Sequence, residues 1–187
     1  MQPDSPLFNT ALGEAYYQAR DFDQSISQNE KSLVLDPSYA IALINIGRAY
    51  EQKKMYAEAL KAFRRIQAAV PEDPVLISLI GHTEAASGNQ VAARAAIAQL
   101  QAIAKLRYVP SLYIALVYTG LNEKDEAFHW LDKAYEERCE YLVYLTDEPL
   151  ADPLRSDPRF SKLIQRIRGA GQSGQTRAGG DASAEKK

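Results

Sequence analysis

Three glycines, Gly13, Gly47 and Gly81, stand 34 residues apart in this chain of 187 residues. A fixed period of that size constrains the fold more than composition does, because it means that one supersecondary unit is stacked on copies of itself. Sliding the sequence by 34 aligns four segments without a gap, and the glycine column continues with Ala115. A second small column reads Ser25, Ala59, Ala93 and Ala127. An aliphatic column reads Leu12, Ile46, Ile80 and Ile114, and an aromatic one Tyr16, Tyr50, Glu84 and Tyr118.

Each segment contains two helical patterns. Leu43, Ile46 and Tyr50 share one helix face, and Ala59, Phe63 and Ile66 share another after a break at Lys53 to Met55. A glycine inside a helix costs about 1 kcal/mol relative to alanine. Three glycines at one phase therefore predict close helix crossings. Pro37 and Pro71, also 34 apart, stop one unit before the next begins.

These columns resemble the tetratricopeptide repeat. The family's aliphatic–Gly–x–x–Tyr motif is present as Leu12-Gly13-Glu14-Ala15-Tyr16 and Ile46-Gly47-Arg48-Ala49-Tyr50, and the second unit continues with Tyr56, Ala59, Phe63 and Pro71. The resemblance implies an all-α, right-handed superhelix of about four helix-turn-helix units, at residues 5–38, 39–72, 73–106 and 107–138. Several positions depart from the pattern. Asn29, Ser25 and Ser32 stand where apolar residues are usual, Glu84 occupies the tyrosine column and Lys105 the proline column.

Residues 139–168 do not continue the register, since Pro149 falls in the glycine column. Asp152-Pro153 and Asp157-Pro158 each read as a helix start. Phe160, Leu163, Ile164 and Ile167 give one apolar face, so a capping helix is expected over the open end of the array. Residues 108–168, from Tyr108-Val-Pro through Ala127-Phe-His-Trp-Leu131 to Leu154-Arg-Ser-Asp-Pro-Arg-Phe160, resemble the ends of repeat regions in bacterial multidomain signalling and transcriptional regulators. That likeness implies a bacterial signalling context and transfers no catalytic activity. Residues 169–187 contain no aromatic, β-branched aliphatic or leucine side chain and are expected to be a disordered tail.

The sequence offers no catalytic set, so an enzyme is not expected. It lacks a phosphate-loop motif and a His-Glu-x-x-His helix. His82 and His129 fall on different helices, and a metal site needs three or four ligands in tetrahedral reach, so neither metal nor cofactor is expected. The one cysteine, Cys139, excludes an internal disulfide, and the carboxylates beside it disfavour a thiolate. A formal net charge of −2 without a basic cluster argues against nucleic acid as a partner. No apolar run approaches the roughly 20 residues of a membrane helix. The start, MQPDSPLF, does not read as a signal peptide, so a cytoplasmic protein is expected.

A partner is therefore expected on the concave face. In the family the first helix of each pair lines that face, which by register selects Thr10, Glu14, Tyr17, Asn45, Arg48, Gln52, Leu79, His82 and Tyr113. One subfamily clamps acidic chaperone tails with lysine, arginine and asparagine. Its columns here hold Thr10, Glu14, Asn45, Val75 and Leu79, of which only Asn45 agrees. The expected face instead grades from polar to apolar along the array and suits a peptide or protein segment with apolar anchors. Two other readings stay open: a sensor or docking part of a signalling system, and a scaffold that self-associates through its first unit.

Overall fold

The computed structural model describes residues 5–178, and side chains as far as 169. Four antiparallel helix pairs follow one another: α1 (Pro6–Gln18) with α2 (Phe22–Leu35), α3 (Ala40–Gln52) with α4 (Tyr56–Gln67), α5 (Pro74–Ala86) with α6 (Gln90–Ala104), and α7 (Ser111–Gly120) with α8 (Lys124–Glu136). Two short 3-10 segments, Glu140–Thr146 and Pro149–Leu154, precede a last helix, α9 (Pro158–Ala178). No strand occurs among the described residues.

The helix ends are written locally. Ser5, Asp21, Asp73 and Asn89 each accept a hydrogen bond from a free N–H in the first turn of the helix that follows. Every turn within a pair contains one residue in the left-handed region: Arg20 (φ 64), Lys54 (φ 61), Gly88 (φ 92) and Asn122 (φ 58). These four are themselves 34 apart, so the period governs the backbone as well as the packing. Lys105, which replaces a stopping proline, allows α6 to run to Ala104 and makes it the longest of the eight repeat helices at 15 residues.

The glycine column marks close crossings. A Cβ on Gly47 would lie 2.6 Å from Cζ of Phe63, a ring that is fully buried. On Gly81 it would meet the Cβ of Ala96 at 2.7 Å, and on Gly13 the Cγ of Asn29 at 2.8 Å. In the first pair the polar departures form a hydrogen-bonded seam where other pairs have apolar contact. The Asn29 amide donates to the Ser25 carbonyl at 2.8 Å, Asn45 donates to Asn29 at 3.2 Å, and the Ser32 hydroxyl donates to the Pro6 carbonyl at 2.9 Å. Glu84 is likewise satisfied, by Arg64 at 2.9 Å and Asn89 at 2.9 Å.

The chain after α8 forms a strap as well as the expected capping helix. Asp157-Pro158 does start a helix, and α9 packs Phe160, Leu163 and Ile164 into a cluster with Leu112, Phe128 and Leu131. Pro158 stands 34 residues after Lys124, so α9 begins at the phase of a second helix. Asp152-Pro153 starts no α-helix. With Pro149 and Pro153 inside it, the segment where a fifth first helix would lie adopts 3-10 turns instead. This strap (140–154) does not cover the end of the array but crosses its concave face. Past the expected boundary at 169, α9 runs on to Ala178. The rest of the expected tail, 179–187, lies outside the described residues.

Gly47→Leu should lower stability by about 1–3 kcal/mol through overpacking against Phe63. Lys54→Gly should raise it by about 1 kcal/mol by removing left-handed strain from a turn. Thermal unfolding followed by circular dichroism checks both; an unchanged melting temperature for Gly47→Leu would contradict the crossing.

Candidate functional site: the concave face and its strap

The concave face holds a cavity of about 380 Å³. Its walls are Ile44 of α3, Val75 and Leu79 of α5, and Leu112, Tyr113 and Leu116 of α7. The strap closes it with Tyr141, Tyr144, Leu145 and Leu150, and polar groups gather at one end: Glu14, Gln18, Arg48, Asp147 and Glu148.

Of the residues selected by register, Glu14, Arg48, Leu79 and Tyr113 line this cavity. Thr10, Tyr17, Asn45 and His82 are buried between elements, with exposures of 2%, 0%, 4% and 5%. They cannot meet a partner without rearrangement. The Thr10 hydroxyl is turned back to the carbonyls of Pro6 and Leu7, and Asn45 belongs to the seam with Asn29. Gln52 is half-buried and lies outside the cavity wall. His129 is exposed on α8 with its ring edge-on to Trp130, while Cys139 is buried with its thiol pushed up by burial. Among the described residues no three His, Cys, Asp or Glu side chains converge as a metal site requires, and no helix is long and apolar enough to cross a membrane.

What holds the strap in place is a network the register could not reveal. Glu148 accepts from the Arg48 guanidinium at 2.5 Å and from the Tyr17 hydroxyl at 2.9 Å. Arg48 also donates to Glu14 at 2.9 Å and lies 4.1 Å over the Tyr17 ring. Four residues further along the strap, Asp152 takes both guanidinium nitrogens of Arg20, at 2.5 and 2.8 Å. Burial would raise the Asp152 carboxyl pKa, but Arg20 and Arg155 outweigh it and hold the group below its usual value. Burial pushes the Tyr17 hydroxyl well above its ordinary range, so it stays a donor. Leu150 completes the attachment by packing with Ala59, Phe63 and Leu79.

Beneath Leu150 sits a buried ionic pair. His82 Nδ1 meets Glu51, whose other oxygen accepts from the Thr83 hydroxyl at 2.6 Å. Burial opposes a charged imidazole, but the Glu51 carboxylate outweighs it and raises the His82 pKa. The outer nitrogen, Nε2, makes no full hydrogen bond, although the nearby Leu150 carbonyl also favours the protonated ring. The strap thus reports to α3 and α5 through both an apolar and an ionic contact.

Glu148→Gln removes the charge facing Arg48 and Tyr17. It should cost about 1.5–3 kcal/mol, the worth of hydrogen bonds to a charged group, and speed amide exchange in 147–154 well before it affects α5. Urea unfolding and hydrogen exchange check this; unaltered exchange would contradict the latch. Because the folded pKa of His82 is raised, its stabilisation is complete below the ring's ordinary 6.5 and fades as pH rises through the folded value. His82→Gln should remove that part of the pH dependence of thermal unfolding, and proton NMR should show the His82 imidazole titrating above its ordinary value.

Comparison with known proteins finds a family match in the first part of the chain. Residues 10–74 match the tetratricopeptide repeat family model. The tetratricopeptide repeat domain-containing protein PYG7, chloroplastic, of Arabidopsis thaliana is 38% identical over 65 residues, 35% of this chain. That match covers 22% of the plant protein's length. The crystal structure of MamA protein aligns with a TM-score of 0.49 and 15% identity over 97% of each chain. The family match lies over the first two of the stacked helix pairs, and the same 34-residue register continues through the two pairs that follow, so the chain contains tetratricopeptide repeats.

Proposed function

We propose that the chain is a non-catalytic interaction module that holds a segment of a partner protein in the strap-closed cavity. Tetratricopeptide repeats generally mediate protein–protein interaction, and the observation that supports the reading here is the cavity itself. It is concave, mostly apolar, and bounded by a few polar groups at one end, as binding sites are.

In this reading the four helix pairs form units at 5–38, 39–72, 73–106 and 107–138. Residues 139–168 act as strap and cap, and the contact surface is Glu14, Arg48, Leu79 and Tyr113 joined by Leu116 and Tyr144. The partner is a protein rather than nucleic acid, and the chain works in the cytoplasm.

Photo-crosslinking tests this directly. A benzophenone side chain at Tyr144, which is 64% exposed at the cavity, should capture a discrete partner, whereas the same group at Val91, 83% exposed on α6, should not. Leu116→Ser should weaken the captured partner's binding by about tenfold, equivalent to about 1.4 kcal/mol. Equal capture at both positions, or binding unaffected by Leu116→Ser, would contradict the proposal.

A further inference from the structure

Resting on that reading of the cavity, we propose that its occupant is a peptide segment that pairs an aliphatic anchor with a basic side chain, the basic group lying at the Glu14–Asp147 end. The charges at that end are unequal. Three carboxylates, Glu14, Asp147 and Glu148, line the cavity against one guanidinium, Arg48. Both of its terminal nitrogens are engaged, one by Glu14 and the other by Glu148, and its face lies over the Tyr17 ring. No cation on the cavity wall is left to receive an acidic or C-terminal carboxylate.

The carboxylates are not equally spent. Glu148 is occupied by Arg48, Tyr17 and the Leu150 N–H. Glu14 shares one oxygen with Arg48 and the other with the Gln18 amide, a long contact of 3.3 Å. Asp147 is exposed, and its carboxylate has no side-chain partner among the described residues. A cation arriving here gains an unpaired carboxylate without breaking the strap's latch.

The rest of the cavity provides a second, independent preference of the same sign. The rings of Tyr113 and Tyr141 stand 6.2 Å apart along its wall, inclined at 34°. Ring faces carry negative charge and attract Lys or Arg, while their edges and the neighbouring Leu79, Leu112 and Leu116 favour an aliphatic group. An apolar floor selects the anchor, and carboxylate with tyrosine selects the charge beside it. An acidic segment would meet repulsion at both places, and a neutral one would leave Asp147 unused.

The test is selection of a randomised linear peptide library on the full chain, followed by fluorescence anisotropy with labelled winners. Leu, Ile or Phe adjacent to Lys or Arg should be enriched. Replacing the basic residue of a winner by Glu should weaken binding at least about tenfold. Asp147→Asn should weaken it about three- to fivefold, with the protein's melting temperature unchanged. Added salt should weaken it further, as expected for partly exposed charges. Winners that are acidic or neutral yet lose affinity with Leu116→Ser and Tyr144→Ala would overturn this inference and leave the cavity as the binding site. An absence of winners, or winners indifferent to both of those variants, would overturn the inference and the cavity reading together.

Discussion

The distance between the two helices of a pair sets everything else in this fold. Where Gly47 faces Phe63 there is no room for a Cβ, and the same holds for Gly81 against Ala96. Close crossing lets the second helix of each pair bury small residues such as Ala59, Ala93 and Ala127 completely. With the pairs locked at this spacing, the first helices are brought side by side and their inner faces make one continuous surface. The 34-residue repetition of left-handed turn residues, from Arg20 to Asn122, keeps each pair in the same geometry. A concave face is the geometric consequence, and so is the need for something to cover its apolar floor.

The chain supplies much of that cover itself. Where a fifth unit would place its first helix, Pro149 and Pro153 forbid one, and the strap lies across the inner face instead. Its attachment combines the ion pairs of Arg48 and Arg20, the Tyr17 hydrogen bond and the insertion of Leu150. These contacts join residues 100–132 positions apart, so they tie the first two units to the strap that follows the last. The remaining cavity is smaller, more enclosed and more acidic at one end than the bare inner faces of the helices would make it. Much of the cavity's chemistry comes from the strap rather than the repeats, because Asp147, Glu148, Tyr141 and Tyr144 are strap residues.

The sequence was legible where the physics is periodic. Gly13, Gly47 and Gly81 reveal the pairs, and Asp157-Pro158 reveals the start of α9, because close packing and helix capping act over a few residues. The lining of the cavity was legible only in part. Of the residues selected by register, Glu14, Arg48, Leu79 and Tyr113 line the cavity, whereas Thr10, Tyr17, Asn45 and His82 are sealed by neighbouring helices and the strap. The choice between Tyr16 and Tyr17 shows the difficulty. The conserved-looking column points to Tyr16 as core, yet Tyr17 is the fully buried one, because Arg48 and Glu148 come from far along the chain to cover it. No local pattern announces a contact between residues 48 and 148. The nearest signal was compositional: Asp147, Glu148 and Asp152 clustered after the repeats, with Arg20 and Arg48 lying on or beside the first helices.

The central claim is that the strap is seated in the concave face rather than at the end of the array. Nuclear Overhauser spectroscopy of methyl-labelled protein tests it most directly. Cross-peaks from the Leu150 methyls to the Phe63 ring and the Leu79 methyls, all members of one packed cluster, are the predicted result. Leu150 methyls at random-coil shifts, with cross-peaks confined to their sequence neighbours, would contradict it.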